Sequence, residues 1–294
     1  MRAGRPDASQ ADRVVTRTIR SLLFAPANRL DLIGKFGRIP ADAFVLDLED
    51  GTPAAERASA RETLGQALAD AGKALGDRAE IMVRVNAADT DDFAADCESV
   101  RRAGCGLVVL SKAESADQVA QAAEASGARV LAGIESVAGV AASEAIAAAP
   151  GVFAVFFGAE DYVADLGGVR TSDSLEVLYP RSRVAVAAKL AGVQALDQVT
   201  VDLKDEARFT ADTAFGKALG YTGKMCLTPA QVAMANAAWR PGEQEIAEAE
   251  ALVAAYEAAV AAGQGTISHQ GRMIDGPLLK QAQAVIAAGR RPSE

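Results

Sequence analysis

The chain has 294 residues, half of them apolar, enough to bury one large core or two modest ones. A net charge of −9 argues against a general nucleic-acid role, which needs a basic face, but leaves room for a local basic pocket around a small phosphorylated ligand. No apolar run approaches the roughly 18–20 residues of a membrane span, and the one histidine, His269, excludes a His-rich zinc site. General-base chemistry therefore falls to carboxylates, Lys, Tyr or Cys unless His269 supplies it. Cys97, Cys105 and Cys226 form an odd, unpatterned set. They fit core positions in a reducing compartment, so a cytoplasmic location is expected.

Residues 1–18 carry Arg2, Arg5 and Arg13 beside Asp7 and Asp12 and have no apolar centre. They match neither a secretory signal nor a transit peptide and read as a disordered leader. From there, short apolar runs recur: Ser21–Ala25, Ala43–Leu48, Ile81–Val85, Leu107–Leu110, Val130–Ile134, Val152–Phe157, Leu196–Val201 and Lys224–Leu227. Between them stand segments with helical spacing: Pro53–Leu75, Asp92–Ala103, Ala116–Ser126, Val137–Ala148, Pro180–Ala191, Lys204–Leu219 and Pro229–Ala238.

Strands alternating with helices imply a parallel sheet covered on both faces. Eight repeats over this length suit a (β/α)₈ TIM barrel, expected over residues 19–240. A doubly wound open sheet is the runner-up, but no G-x-G-x-x-G follows any strand. The character then changes. An Ala/Glu-rich helix, Glu243–Ala262, a Gly-containing loop, Gly263–Asp275, and a last helix, Leu278–Ala288, read as a C-terminal helical arm and lid loop over residues 241–294.

Functional residues of a barrel sit where its strands end. Here those ends are rich in charge. Asp47, Glu49 and Asp50 follow the second run, Arg84 closes the third, Lys112 follows the fourth, and Glu135 ends the fifth. Asp161 follows the sixth, with Asp197 and Asp202 in or after the seventh. Glu135 and Asp161 flank one strand–helix–strand unit, so both emerge at the same sheet edge. Two carboxylates there suit Mg²⁺, which takes one or two protein acids and leaves positions for substrate oxygens. The competing reading makes the same pair helix-terminus acids, and the whole set a structural ion-pair network.

The motifs Arg20-Ser-Leu-Leu-Phe-Ala-Pro26, Val45-Leu-Asp-Leu-Glu-Asp50, Arg84-Val-Asn86, Lys112-Ala-Glu-Ser115, Ile134-Glu-Ser136, Gly158-Ala-Glu-Asp161, Gly220-Tyr-Thr-Gly-Lys224 and Met273-Ile-Asp275 occur in that order. Together they resemble the HpcH/HpaI aldolase/citrate lyase β-subunit family, most closely its CitE-like branch of acyl-CoA lyases. The resemblance spans residues 19 to 289. It implies Mg²⁺ held by Glu135 and Asp161, with an α-keto acid completing the shell. It implies that Arg84 stabilises the enolate oxygen and that Asp275, from a neighbouring subunit of a trimer or hexamer, moves the proton at the acetyl carbon. Asp47, Glu49 and Asp50 either cap the next helix or hold Arg84 in place, and support of Arg84 is the favoured reading for Asp47 and Glu49. Phe24, Arg29, Lys35, Leu227 and Pro229 fall where relatives line the coenzyme A pocket. Without the resemblance, Arg29 and Lys35 read as surface charges, and Asp275 before Gly276-Pro277 as a turn residue.

The chemistry is consistent with those roles. Splitting a 3-hydroxyacyl thioester leaves an enolate, whose charge needs a fixed cation, and a partly desolvated acid can return its proton. The sequence departs from the family pattern at Leu227-Thr228-Pro229, where relatives carry Ile-His-Pro, at Ala27-Asn28 and at Ser111. The expected activity is Mg²⁺-dependent cleavage or formation of a malyl-CoA- or citramalyl-CoA-like thioester. The rivals are a citryl-carrier lyase subunit, acting on an acyl-carrier thioester, and a non-catalytic CoA-thioester-binding protein. No nucleic acid or membrane partner is expected.

Overall fold

Eight parallel strands close into a barrel in chain order. The strands are β1 (Ser21–Pro26), β2 (Ala43–Asp47), β3 (Glu80–Val85), β4 (Leu107–Leu110), β5 (Arg129–Ile134), β6 (Val152–Phe157), β7 (Gln194–Asp197) and β8 (Gly223–Cys226). Pairing of β1 with β8 from Ser21↔Lys224 to Leu23↔Cys226 seals the ring. The computed structural model describes residues 17–263 and 266–289. The expected leader lies outside the described residues, apart from Arg17 and Thr18.

The helices of this unit are α1 (Leu30–Ile33), α2 (Ala54–Leu75), α3 (Phe93–Ala103), α4 (Ala116–Ser126), α5 (Val137–Ala141) and α6 (Ser143–Ala147). They continue with α7 (Ala159–Leu166), α8 (Leu178–Ala191), α9 (Glu206–Leu219) and α10 (Pro229–Ala238). Local chemistry explains several of them. In α2, Ala60, Leu64, Ala67, Ala71 and Leu75 recur every three or four residues and form its buried stripe. Ser115 and Ser136 cap α4 and α5 by accepting from the Gln118 and Gly139 N–H groups at 3.2 and 3.0 Å.

The barrel interior follows from strand alternation. Leu22, Ala43, Val45, Met82, Val109, Leu131, Ala154, Phe156, Leu196 and Met225 belong to one buried apolar cluster, against which Phe24 packs. Because side chains alternate, the inward series continues to Asp47 on β2, to Arg84 on β3, and through Gly133 to Glu135 after β5. The charged residues therefore form the top layer of the same stack at the strands' C-terminal ends.

Three local expectations change. The segment Val137–Ala148 is broken at Ala142, where φ −96° and ψ 7° leave the helical range, giving α5 and α6. β7 stops at Asp197 instead of Val201, because side chains claim the carbonyls beyond it. Lys224 Nζ donates to Gln198 O at 2.8 Å and Gln231 Nε2 to Thr200 O at 2.9 Å. The third change is α7, a short helix after β6 that the apolar periodicity did not reveal.

The chain divides into two compact units, the second starting at Ala237, close to the expected boundary at residue 241. The second unit contains α11 (Glu243–Ala261), β9 (Ile267–His269), β10 (Arg272–Ile274) and α12 (Gly276–Gly289). Part of the expected lid loop is thus an antiparallel hairpin pairing Ile274 with Ile267. Its two turn residues, Gln270 and Gly271, have φ of 49° and 76°, the positive values that a tight two-residue hairpin demands. The side chain of His269 lies outside those described. Among the described residues, no helix is long and apolar enough to cross a membrane.

Candidate active site

The top layer of the barrel is held together by charge. Arg84 donates from Nε to Asp47 Oδ1 at 2.7 Å and from Nη2 to Asp47 Oδ2 at 2.6 Å, a bidentate pair. Its Nη1 lies 2.8 Å from Glu49 Oε2, and its guanidinium carbon stands 5.0 Å from the centre of the Phe24 ring. Asp47 also accepts from the Glu49 and Gly51 N–H groups at 2.9 and 2.8 Å, so both its oxygens are committed. A side chain at Gly51 would collide with that carboxylate, its Cβ falling 2.4 Å from Asp47 Oδ2. Asp47 and Glu49 thereby aim Arg84 and leave its charge in place. Burial works against the Arg84 charge, but the hydrogen bond and attraction of Asp47 outweigh it and raise its pKa.

Glu135 is almost fully buried, with 3% of its surface exposed. It does not cap the following helix, since Ser136 does that. Glycines open the space around its carboxylate. A Cβ on Gly133 would stand 2.4 Å from Oε1, and one on Gly158 would stand 2.6 Å from Oε2. Burial pushes the Glu135 carboxyl up to about 7, against the pull of Arg84 and with the repulsion of Glu49 and Asp161. Asp161 lies in the first turn of α7, where its partly exposed carboxylate is 3.4 Å from Lys112 Nζ.

These residues fit a hard divalent cation. A buried carboxylate set in a cradle cleared by two glycines, beside a second acid, is the donor set Mg²⁺ uses when substrate oxygens complete its shell. Among the described residues, no three or more His, Cys, Asp and Glu side chains converge as they would in a closed metal cage. A cation here would rest on two carboxylates and keep open positions.

The expected coenzyme-binding residues fall in one sector. Phe24 lies on β1, Arg29 and Lys35 on the β1–α1 connection and its continuation, and Leu227 and Pro229 just after β8, the strand that pairs with β1. Arg29 and Lys35 are exposed and share Asp31, at 2.7 and 3.8 Å. Thr228, standing where the family pattern has histidine, accepts from the Gln231 N–H at 3.2 Å and so helps start α10. Asp275 belongs to the second unit, half-buried, with the Leu278 N–H 3.4 Å from its Oδ1 at the start of α12.

Lys112 is the residue whose importance the sequence understated. As a strand-end charge it looked like one of many, but its Nζ also hydrogen-bonds Glu49 and its N–H donates to Glu135 Oε1 at 3.1 Å. The signal available was its place in Lys112-Ala-Glu-Ser115 directly after β4. Asp197 and Asp202 were grouped with this site by sequence. The first instead joins a sealed network with Arg181, and the second pairs with Arg208 at 3.2 Å.

Comparison with known proteins identifies the family and related folds. Residues 20–229 match the HpcH/HpaI aldolase/citrate lyase family. A citrate lyase subunit beta-like protein of Deinococcus radiodurans is 44% identical, covering 92% of this chain and 96% of the relative. The mitochondrial citramalyl-CoA lyase of Homo sapiens is 32% identical over 91% of this chain and 84% of its own. CitE of Mycobacterium tuberculosis, crystallised with magnesium, acetoacetate and coenzyme A, superposes with a TM-score of 0.81 at 32% identity, covering 92% of this chain and 98% of that one. By sequence and by fold, the chain belongs to the HpcH/HpaI aldolase/citrate lyase family.

Proposed function

We propose that the protein is a Mg²⁺-dependent carbon–carbon lyase acting on a 3-hydroxyacyl-CoA of the malyl-CoA or citramalyl-CoA type, giving an α-keto acid and acetyl-CoA, or the reverse. The observation that carries the reading is the glycine-cleared Glu135 carboxylate beside Asp161, facing an Arg84 fixed by Asp47. Relatives named as citrate lyase β-like and citramalyl-CoA lyase, and a CitE structure holding magnesium and coenzyme A, support the same class.

Glu135 and Asp161 would hold the cation, which supplies Lewis-acid polarisation and a template for the substrate's hydroxyl and carboxylate. The chain's own residues do the rest. As the carbon–carbon bond breaks, the hydroxyl oxygen gives its proton to solvent water and becomes the keto oxygen, while the electron pair of the broken bond passes to the thioester as an enolate. Arg84 meets the enolate oxygen with a charge already oriented, so little reorganisation is needed as the negative charge develops. Asp275 of a neighbouring subunit then delivers a proton to the enolate carbon, giving the acetyl methyl group. A closed homo-oligomer, most simply a trimer, supplies that acid in each site. Phe24, Arg29, Lys35, Leu227 and Pro229 receive the coenzyme, the two cations meeting its phosphates.

The direct test is a panel of malyl-, citramalyl- and citryl-CoA thioesters assayed with Mg²⁺ and with chelator. Release of acetyl-CoA from at least one, abolished by chelation, is expected. Turnover that chelation leaves unchanged sinks the metal assignment. No turnover of any thioester, with tight CoA binding retained, would point to a binding protein.

A further inference from the structure

Lys112 is built unusually. Its backbone sits at φ 50°, in the left-handed region that side chains other than glycine seldom adopt. Among the described residues, only Ser174 and Gln270 share that trait outside glycine. Retaining a lysine under such strain calls for a reason local to the site. The conformation lets one residue reach both members of the acid pair. The Lys112 N–H donates to Glu135 Oε1 at 3.1 Å, and the ammonium stands 3.4 Å from Asp161 Oδ1. The same ammonium hydrogen-bonds Glu49 and lies 4.0 Å from Asp50. A glycine would take the backbone angle without strain but would bring no charge.

The charges at this mouth do not balance. Among the described residues, the cations set against Asp47, Glu49, Asp50, Glu135 and Asp161 are Arg84 and Lys112. Arg84 is held in position by its bidentate pair with Asp47. Glu49 Oε2 is buried and meets Arg84 Nη1 at 2.8 Å as an ion pair without hydrogen-bond geometry, while Lys112 takes its other oxygen. Lys112 is the movable cation of the set, one-third exposed on a flexible stem that leads to solvent.

We propose that Lys112 is an internal counter-ion for the divalent cation. Its ammonium neutralises Asp161 and Glu49 in the metal-free protein and withdraws from Asp161 when the metal binds, so it sets the affinity of the pair for metal. The inference rests on the assignment of Glu135 and Asp161 as the metal pair. It makes Lys112 a positioning residue, which keeps two mutually repelling acids in place between turnovers and keeps the metal exchangeable.

The test is calorimetric titration of the purified full chain with MgCl₂, without thioester, together with thermal melting with and without Mg²⁺. Removing a unit positive charge this close to the pair should tighten Mg²⁺ binding by roughly tenfold or more in Lys112→Met. Metal-free Lys112→Met should melt below wild type, and saturating Mg²⁺ should close that gap. Lys112→Arg, which keeps the charge, should stay near wild type in both measurements. Equal or weaker Mg²⁺ binding by Lys112→Met overturns the proposal, as does a Lys112→Met chain that saturating Mg²⁺ cannot fold, since the divalent ion would then not replace the ammonium. Glu135→Gln separates the two readings: if it binds Mg²⁺ as wild type does, the metal pair itself falls and takes this inference with it.

Discussion

At β7 and β8, Arg181 and Lys224 face Asp197 and Asp212. At the ends of β2 to β6, Arg84 and Lys112 face Asp47, Glu49, Glu135 and Asp161. In the first cluster every charge is matched, and all but Asp212 are sealed. The Arg181, Asp197 and Lys224 side chains are 0% exposed, and Asp212 is 2.9 Å from Arg181 Nη1 and 2.6 Å from Lys224 Nζ. Burial alone would raise the Asp212 pKa, but Lys224 and Arg181 outweigh it and hold the carboxyl below its usual range. Gly216 gives Asp197 its room, since a Cβ there would fall 2.1 Å from Oδ2. The second cluster also uses glycine to clear space around a buried acid, but there the acids outnumber the cations, the lysine is one-third exposed, and Glu135 is pushed up to about 7. Matched, closed charge holds a fold together. Unmatched charge beside an opening holds something that arrives.

Mutations that break this contrast should separate function from stability. The largest effect is expected at the unmatched cluster: Glu135→Ala or Asp161→Ala should cut Mg²⁺-dependent turnover by about a thousandfold, roughly 4 kcal/mol. The melting temperature should stay near wild type, and turnover near wild-type levels would refute the metal pair. Next comes the sealed cluster. Lys224→Met leaves Asp212 and Asp197 short of a partner, and should cost about 3–5 kcal/mol in denaturant unfolding. A loss under about 1 kcal/mol would mean that the network is not structural.

Mixing Asp275→Asn chains with Arg84→Ala chains should restore part of the activity that each lacks alone, because a mixed oligomer contains some sites with both groups intact. Absence of any rescue speaks against an acid supplied in trans.

The pH response follows from Glu135. Burial raises its carboxyl from 4.5 to about 7, so the folded metal-free chain holds this proton more tightly than the unfolded chain does. That contribution to stability is complete below about 4.5 and is lost as pH rises through about 7. The melting temperature of metal-free wild type should therefore fall across that window, and Glu135→Gln should remove this component. A wild-type profile matching the variant's would contradict the shift. The smallest effect belongs to the surface. Raising salt should weaken thioester affinity, and Arg29→Ala with Lys35→Ala should flatten that dependence by a few-fold. An unchanged salt slope would exclude both from phosphate contact.

Much of the barrel was legible because its strands are short apolar runs at regular spacing, and runs such as Leu107–Leu110 and Val152–Phe157 coincide with β4 and β6 residue for residue. Boundaries failed where side chains took over the backbone, as beyond Asp197, where Lys224 and Gln231 bind the carbonyls that a longer strand would have used. The hairpin in the second unit was hidden because its strands have only three residues each, too few for alternation to register.

The sequence by itself determined the repeat, the strand ends and the order of charged residues on them, since periodicity and chain direction suffice to place Asp47, Arg84 and Glu135 in the top layer of one stack. It could not tell Asp197 from Glu135, both acids closing apolar runs. Only tertiary structure decided that one meets Arg181 and Lys224 in a closed, neutral network and the other sits in a glycine-cleared space with too few cations. The reason is physical: the ionisation and role of a carboxylate depend on its burial and on charges brought close from distant parts of the chain.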